Sequence, residues 1–87
     1  MLWFKPYSVS DLEGFRNANM GVHIGIQFED VGDDYLRASM PVDERTVQPF
    51  GILHGGASCV LSETLGSVAA WMCVNPEEQM IVGIEIN

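Results

Sequence analysis

Positive charge is scarce in this sequence: four Lys and Arg residues stand against twelve Asp and Glu among 87 residues, a formal net charge of −8. Lys5, Arg16, Arg37 and Arg45 are scattered rather than clustered, so a phosphate backbone would be repelled and a nucleic-acid partner is not expected. Cysteine is scarce too. Cys59 and Cys73 fit no zinc or redox spacing, and a helix would hold them about 21 Å apart. They read as reduced, buried thiols of a cytoplasmic protein. The start, Met1-Leu2-Trp3-Phe4-Lys5-Pro6, lacks the long apolar core and small-residue cleavage site of a signal peptide, which argues against export. The longest apolar stretch, Ala57 to Val74, carries Glu63 at its middle and has no close basic flank, so a membrane span is not expected either. Internal repeats and low-complexity runs are missing, as are a nucleophile elbow, a phosphate loop, HExxH and a dinucleotide fingerprint. No metal or cofactor is called for. The acid pairs Glu29-Asp30, Asp33-Asp34, Asp43-Glu44 and Glu77-Glu78 lie beside Gly, Pro or Arg and read as solvated turns rather than metal ligands.

What is present is globular: 47% of residues are hydrophobic and 18% charged. A chain this short buries only about 60–65% of its unfolded surface, so self-association, a ligand or further sequence would contribute to its stability. Ser10-Asp11-Leu12-Glu13 matches a capping box and predicts a short helix ending near Asn17 to Met20. His23 to Val31 and Tyr35 to Val42, rich in β-branched and aromatic residues, flank Gly32-Asp33-Asp34 and predict an antiparallel hairpin. Glu44 to Leu53, with Pro49 and Gly51, predicts a loop with fixed bends. A long helix is predicted from about Gly56 to Val74, with Leu61, Leu65, Val68 and Met72 as a core seam and Pro76 beyond its end. Glu63 is its only charge, and a helix apolar or small all round is normally enclosed on every side. Met80 to Ile86 reads as a third strand, and three strands cannot wrap a five-turn helix, so the sequence reads as part of a longer domain.

Glu63 is the first candidate for chemistry. A carboxylate buried without a basic neighbour must be paired, take up a proton, or line a cavity open to water and ligand, and the last option suits a general base or nucleophile of raised pKa. The plain alternative is a carboxylate bonded to a hydroxyl or a partner helix. Ser67, one helical turn on, can orient it or contact substrate, or bond back to the Glu63 carbonyl. His54-Gly55-Gly56 stands where the helix starts, and its backbone donors, with the positive end of the helix dipole behind them, suit an oxyanion or a polarised carbonyl. Glycine at a helix start and a solvent-facing histidine are also ordinary structure. Gln48, in the bent loop, can donate its amide to the same oxygen, or be a loop glutamine. His23 reads as a surface or packing histidine, and Trp71 and the methionines as core.

Met40-Pro41-Val42-Asp43, the run Arg45-Thr46-Val47-Gln48-Pro49-Phe50-Gly51-Ile52-Leu53-His54-Gly55-Gly56-Ala57-Ser58, then Glu63 and Ser67, together resemble the hotdog-fold acyl-CoA thioesterases. The resemblance runs along the whole chain, including Gly32-Asp33-Asp34 and Val82-Gly83-Ile84-Glu85-Ile86-Asn87, and is narrowest to the branch serving menaquinone biosynthesis and its sibling in enterobactin synthesis. It implies an α+β hotdog fold, a long central helix wrapped by a curved antiparallel sheet. Residues 1–87 would be a single partial domain, the N-terminal part of that fold. It implies Glu63 as the acid, Gly55 as the oxyanion-binding amide and Gln48 as the loop glutamine. His54, Ser67 and the backbone of Val82 would contact substrate, and no cofactor is needed, CoA being part of the substrate. It also implies a homodimer or tetramer with shared sites and a cytoplasmic enzyme acting on an aromatic, hydroxylated acyl group. The family's contacts to the CoA phosphates would lie beyond Asn87. The alternative reading is a non-catalytic hotdog module that binds an acyl group or a protein partner.

Overall fold

A computed structural model describes residues 1–87 and is organised around one long helix. The elements are α1 (Met20–His23), β1 (Gln27–Val31), β2 (Leu36–Ser39) and α2 (Gly55–Met72), preceded by a 3₁₀ segment, Val9–Phe15. Helix α2 begins and ends within two residues of the sequence reading. Of the predicted seam, Val68 and Met72 are buried and Leu65 packs against them. Trp3, Leu12 and Phe28 complete the core.

The expectation that α2 is enclosed on every side is corrected: Cys59, Ser62, Glu63 and Gly66 are exposed. A sheet of only two strands covers one flank, which leaves the opposite face open. For the same reason the two cysteines are free and exposed instead of buried, Cys59 on the uncovered face and Cys73 at the C-terminal cap.

The hairpin forms as read, but shorter. β1 and β2 pair antiparallel with Gln27 opposite Ser39, Phe28 opposite Ala38, Asp30 opposite Arg37 and Val31 opposite Leu36. The first strand starts four residues late because Asn19 accepts from the Val22 N–H and caps α1, and Gly25 then turns the chain at φ +86°. The second strand stops before Pro41, which has no N–H to give a ladder. Glu29-Asp30 is not in a turn. It lies in β1, where the register shifts between Phe28 and Asp30 and Glu29 is the extra residue of a bulge. Both carboxylates are used locally: Glu29 accepts from the Ser39 hydroxyl, and Asp30 accepts from the Tyr35 hydroxyl at 2.6 Å. That bond holds the Tyr35 phenol above its usual pKa.

The predicted N-terminal helix is also revised. The capping box is formed by Ser8 and Asp11, not Ser10 and Glu13, and it opens a 3₁₀ segment ending at Phe15. Both pairs have the three-residue spacing, so sequence alone does not choose between them. The Asp11 carboxylate accepts from the Ser8 backbone N–H at 2.7 Å and from its hydroxyl at 3.1 Å, and these bonds hold it below the usual carboxylate range. The segment delivers Leu12, with no exposed surface, into the core.

Met80 to Ile86 is not a strand. It runs irregularly without backbone ladder bonds, because no strand of this chain lies beside it and a strand exists only as part of a ladder. Instead residues 81–83 lie against α2 at Glu63. No helix is long and apolar enough to cross a membrane.

The stretch between β2 and α2 is held by one buried side chain. Thr46, 2% exposed, donates from its hydroxyl to the Pro41 carbonyl at 2.7 Å and accepts from the Asp43 N–H at 3.0 Å. Beside it, Arg45 forks onto the Asp43 carboxylate, with Nη2 at 2.6 Å, and holds that acid below its usual pKa. Thr46→Val keeps the shape but orphans both backbone groups, so unfolding free energy should fall by about 1–3 kcal/mol. Chemical denaturation checks this; an unchanged midpoint would remove Thr46 as the anchor.

Candidate active site

The first half of the site is built by a small ribbon. Thr46 and His54 are joined by the His54 N–H to Thr46 carbonyl bond at 2.8 Å, Val47 bridges Leu53, and the Gln48 N–H donates to the Ile52 carbonyl at 2.8 Å. The bend is a turn from Gln48 to Gly51, closed by the Gly51 N–H on the Gln48 carbonyl at 2.9 Å. Pro49 sits at its second position, and Gly51 at φ +82° supplies the left-handed residue that returns the chain. With side chains alternating along a ribbon, Gln48 and His54 share a face as diagonal neighbours, about 7–8 Å apart by ladder geometry.

The Gln48 side-chain oxygen accepts from the Phe50 N–H, so its amide nitrogen is the end left free to donate. His54 is the N-cap of α2, and its Nδ1 accepts from the Gly56 N–H at 2.8 Å. The imidazole proton therefore belongs on Nε2, which faces away from the cap. The Gly55 N–H makes no hydrogen bond, and space around the residue is open. The helix start thus leaves an unpaired backbone donor at the positive end of an 18-residue helix, and the loop before it leaves the Gln48 amide free.

The second half lies further along the same helix. Glu63, Ser67 and Val82 line one cleft of about 400 Å³, which does not include Gln48, His54 or Gly55. Its floor is Ile26, just before β1, and Phe28 within it, and one wall is the turn of chain from Phe15 to Val22. Phe15 meets Trp71 edge to face with ring centroids 5.0 Å apart, and Tyr7 backs Trp71 at 5.3 Å. Trp71 packs against the core as read, and its half-buried ring also lines the cleft; Phe15 and Arg16, also on its wall, are not legible as site residues, because nothing local in sequence ties residue 15 or 16 to a helix fifty residues on.

Glu63 itself is exposed, which corrects the expectation of a desolvated acid: the uncovered face of α2 leaves its carboxylate in contact with water. Its Oε1 accepts from the Ser67 hydroxyl at 2.7 Å, so Ser67 bonds the carboxylate. Gly83 packs directly on the same carboxylate, and a Cβ there would overlap it. The helix start therefore offers free donors, and the cleft further along holds a carboxylate oriented by Ser67. Eight residues separate Gly55 from Glu63, a rise of about 12 Å and a rotation of roughly 80°.

Known proteins match the whole chain. It is 51% identical over its 87 residues to 1,4-dihydroxy-2-naphthoyl-CoA hydrolase of Escherichia coli K12, of which it covers 63%. The crystal structure of a thioesterase from Haemophilus influenzae superposes with a TM-score of 0.91 at 44% identity, over 100% of this chain and 60% of that one. A glutamine-to-alanine mutant of a thioesterase from Pseudomonas aeruginosa superposes with a TM-score of 0.84 at 47% identity, over 88% of this chain and 55% of that one. No protein-family model matches. By sequence along its whole length and by superposition, the chain is similar to these thioesterases and shares their hotdog fold, as a segment that spans about three fifths of their length.

Proposed function

We propose that this chain carries the catalytic residues of an acyl-CoA thioesterase acting on an aromatic acyl group, 1,4-dihydroxy-2-naphthoyl-CoA being the substrate that its relative's name suggests. With that acyl group the enzyme would serve menaquinone biosynthesis, as the family resemblance implies. The observation that carries the reading is the unpaired Gly55 N–H at the start of α2 together with the Glu63 carboxylate held over an apolar cleft. Hydrolysis of a thioester needs donors for the oxyanion and a base or nucleophile, and no metal is required for either. Gly55 N–H and the Gln48 amide polarise the thioester carbonyl. Glu63, oriented by Ser67, removes a proton from water as it attacks the carbonyl carbon, or attacks that carbon itself. When water attacks, the C–S bond breaks and the proton taken by Glu63 passes to the departing CoA sulfur as the acid is released. When Glu63 attacks, C–S cleavage leaves a mixed anhydride on Glu63 and a CoA thiolate that water protonates, and a second water then cleaves the anhydride to free the acid and Glu63. His54 Nε2–H and the Val82 backbone contact the acyl portion.

One helix does not bring Gly55 and Glu63 to a single carbonyl, so the site is read as shared between two copies, Gln48 and Gly55 from one and Glu63 from the other. The exposed apolar side chains Phe50, Ile52, Val82 and Ile84, at 63–94% exposure, agree with further contacts. A CoA thioester substrate and free cysteines agree with a cytoplasmic protein.

A second reading is favoured by length and charge. The chain spans 63% of the hydrolase and has four scattered bases for the CoA phosphates, so residues 1–87 alone would bind an acyl group without turnover. One experiment addresses both. Thiol release from an aromatic acyl-CoA is followed with the 87-residue chain and with the chain joined to the part of the E. coli hydrolase that the match leaves uncovered. The joined protein should turn over. A folded joined protein that releases no thiol, in an assay where the E. coli hydrolase is active, would sink the thioesterase reading in favour of the binding module.

A further inference from the structure

Arg16 is the only cation in the cleft that holds Glu63. It closes the 3₁₀ segment, and its Nε is shielded from solvent with no hydrogen-bond partner. Its nearest carboxylate, Glu13, is 3.8 Å from Nη1, too far for a hydrogen bond, and no other partner holds the guanidinium. A guanidinium is a donor only and cannot be deprotonated, so the shielded Nε–H, on a side chain otherwise about one third exposed (32%), lacks an acceptor that a ligand in the cleft can bring. The neighbouring walls are apolar and aromatic: Phe15, Val22, Ile26, Val68 and Trp71. Asn19 does not compete, since its carbonyl accepts from Val22 and its amide donates to Phe15.

From this juxtaposition we infer that Arg16 is a specificity-determining residue, which receives an oxygen carried on the ring of the acyl group, remote from the carbonyl that reacts. The inference rests on the thioesterase reading and deepens it. The cleft takes a flat aromatic body between Trp71 and Val22, and Arg16 reads whether that body bears a hydroxyl or oxo oxygen. Recognition of this kind discriminates strongly, because the analogue without the oxygen leaves a shielded donor unpaired. A charge-assisted bond gives about 10-fold or more between otherwise identical rings.

The test separates binding from turnover. Affinities of the 87-residue chain for 4-hydroxy-2-naphthamide and 2-naphthamide are measured by titration calorimetry; neutral amides are used so that no carboxylate competes for the arginine. The hydroxylated amide should bind about 10-fold tighter or more, and Arg16→Gln should collapse the ratio towards one while affinity for the plain amide stays within about twofold. An arginine that merely supports the wall would weaken both amides alike, leaving the ratio intact, and that result overturns the proposal. So does equal affinity in the unaltered chain, or no binding of either amide, whatever the variants do. Arg16→Lys, which keeps charge but not the planar fork, should retain part of the ratio. Discrimination without thiol release in the joined protein would leave the Arg16 assignment standing and remove the thioesterase reading. Glu63-dependent thiol release without discrimination would do the reverse.

Discussion

Gly55→Pro, placed in the protein joined to full relative length, should lower kcat for thioester hydrolysis by about 10²–10³, the scale of losing one oxyanion donor, with α2 still formed. Proline removes the backbone N–H and nothing else that the fold uses. The Gly55 N–H has no partner in the structure, so no internal bond is lost. Gly55 is the first residue of the helix, where the fixed φ of proline is already suitable. His54 has φ −72° and ψ 127°, the extended conformation that a residue before proline prefers. Space is open where a Cβ would stand. Gly55→Ala is the matched control: it adds a methyl group but keeps the donor, and its kcat should stay within a few-fold of the parent. Steady-state kinetics of the three proteins, with circular dichroism to confirm equal helix content, decides the matter. A proline variant as active as the alanine variant would show that this N–H does not touch the reacting carbonyl.

The second large effect belongs to Glu63. Glu63→Gln retains volume and can still accept from Ser67, yet it has neither a basic nor a nucleophilic oxygen, so kcat should fall by at least about 10². Near-normal turnover of an aromatic acyl-CoA would end the catalytic assignment. The same lesion tests whether the site is shared. Glu63→Gln and Gln48→Ala proteins, each nearly inactive, are unfolded together and refolded as mixed dimers. If Gln48 and Glu63 meet across an interface, each mixed dimer has one intact constellation and one doubly impaired one, and activity returns towards the expected fraction. If both act from one copy, every site carries a lesion. Silent mixed dimers, verified by mass, would rule out the two-copy site.

Local chemistry in the sequence determined the long helix, the hairpin and the bent loop. Pro76 and the small-residue run bound α2, Gly32-Asp33-Asp34 turns the hairpin, and Pro49 with Gly51 sets the bend before His54. These are decided within a few residues, by backbone sterics and by donors that need caps, so they read directly. The same local rules failed where two choices were equivalent nearby, as between the Ser8 and Ser10 boxes. They also failed where an element depends on a distant neighbour. Met80 to Ile86 has the composition of a strand but no ladder partner among these residues, and Glu63 and the cysteines are exposed because burial depends on what covers a helix and not on the helix itself. Grouping was decided by tertiary structure alone. The sequence named Gln48, His54, Gly55, Glu63, Ser67 and Val82 as candidates, and packing divided them between the helix start and a cleft about 12 Å further along. Packing also brought Phe15 against Trp71 and Arg16 into the cleft that Glu63 lines, pairings that span some fifty residues and arise only when the 3₁₀ segment docks through Leu12 onto the core.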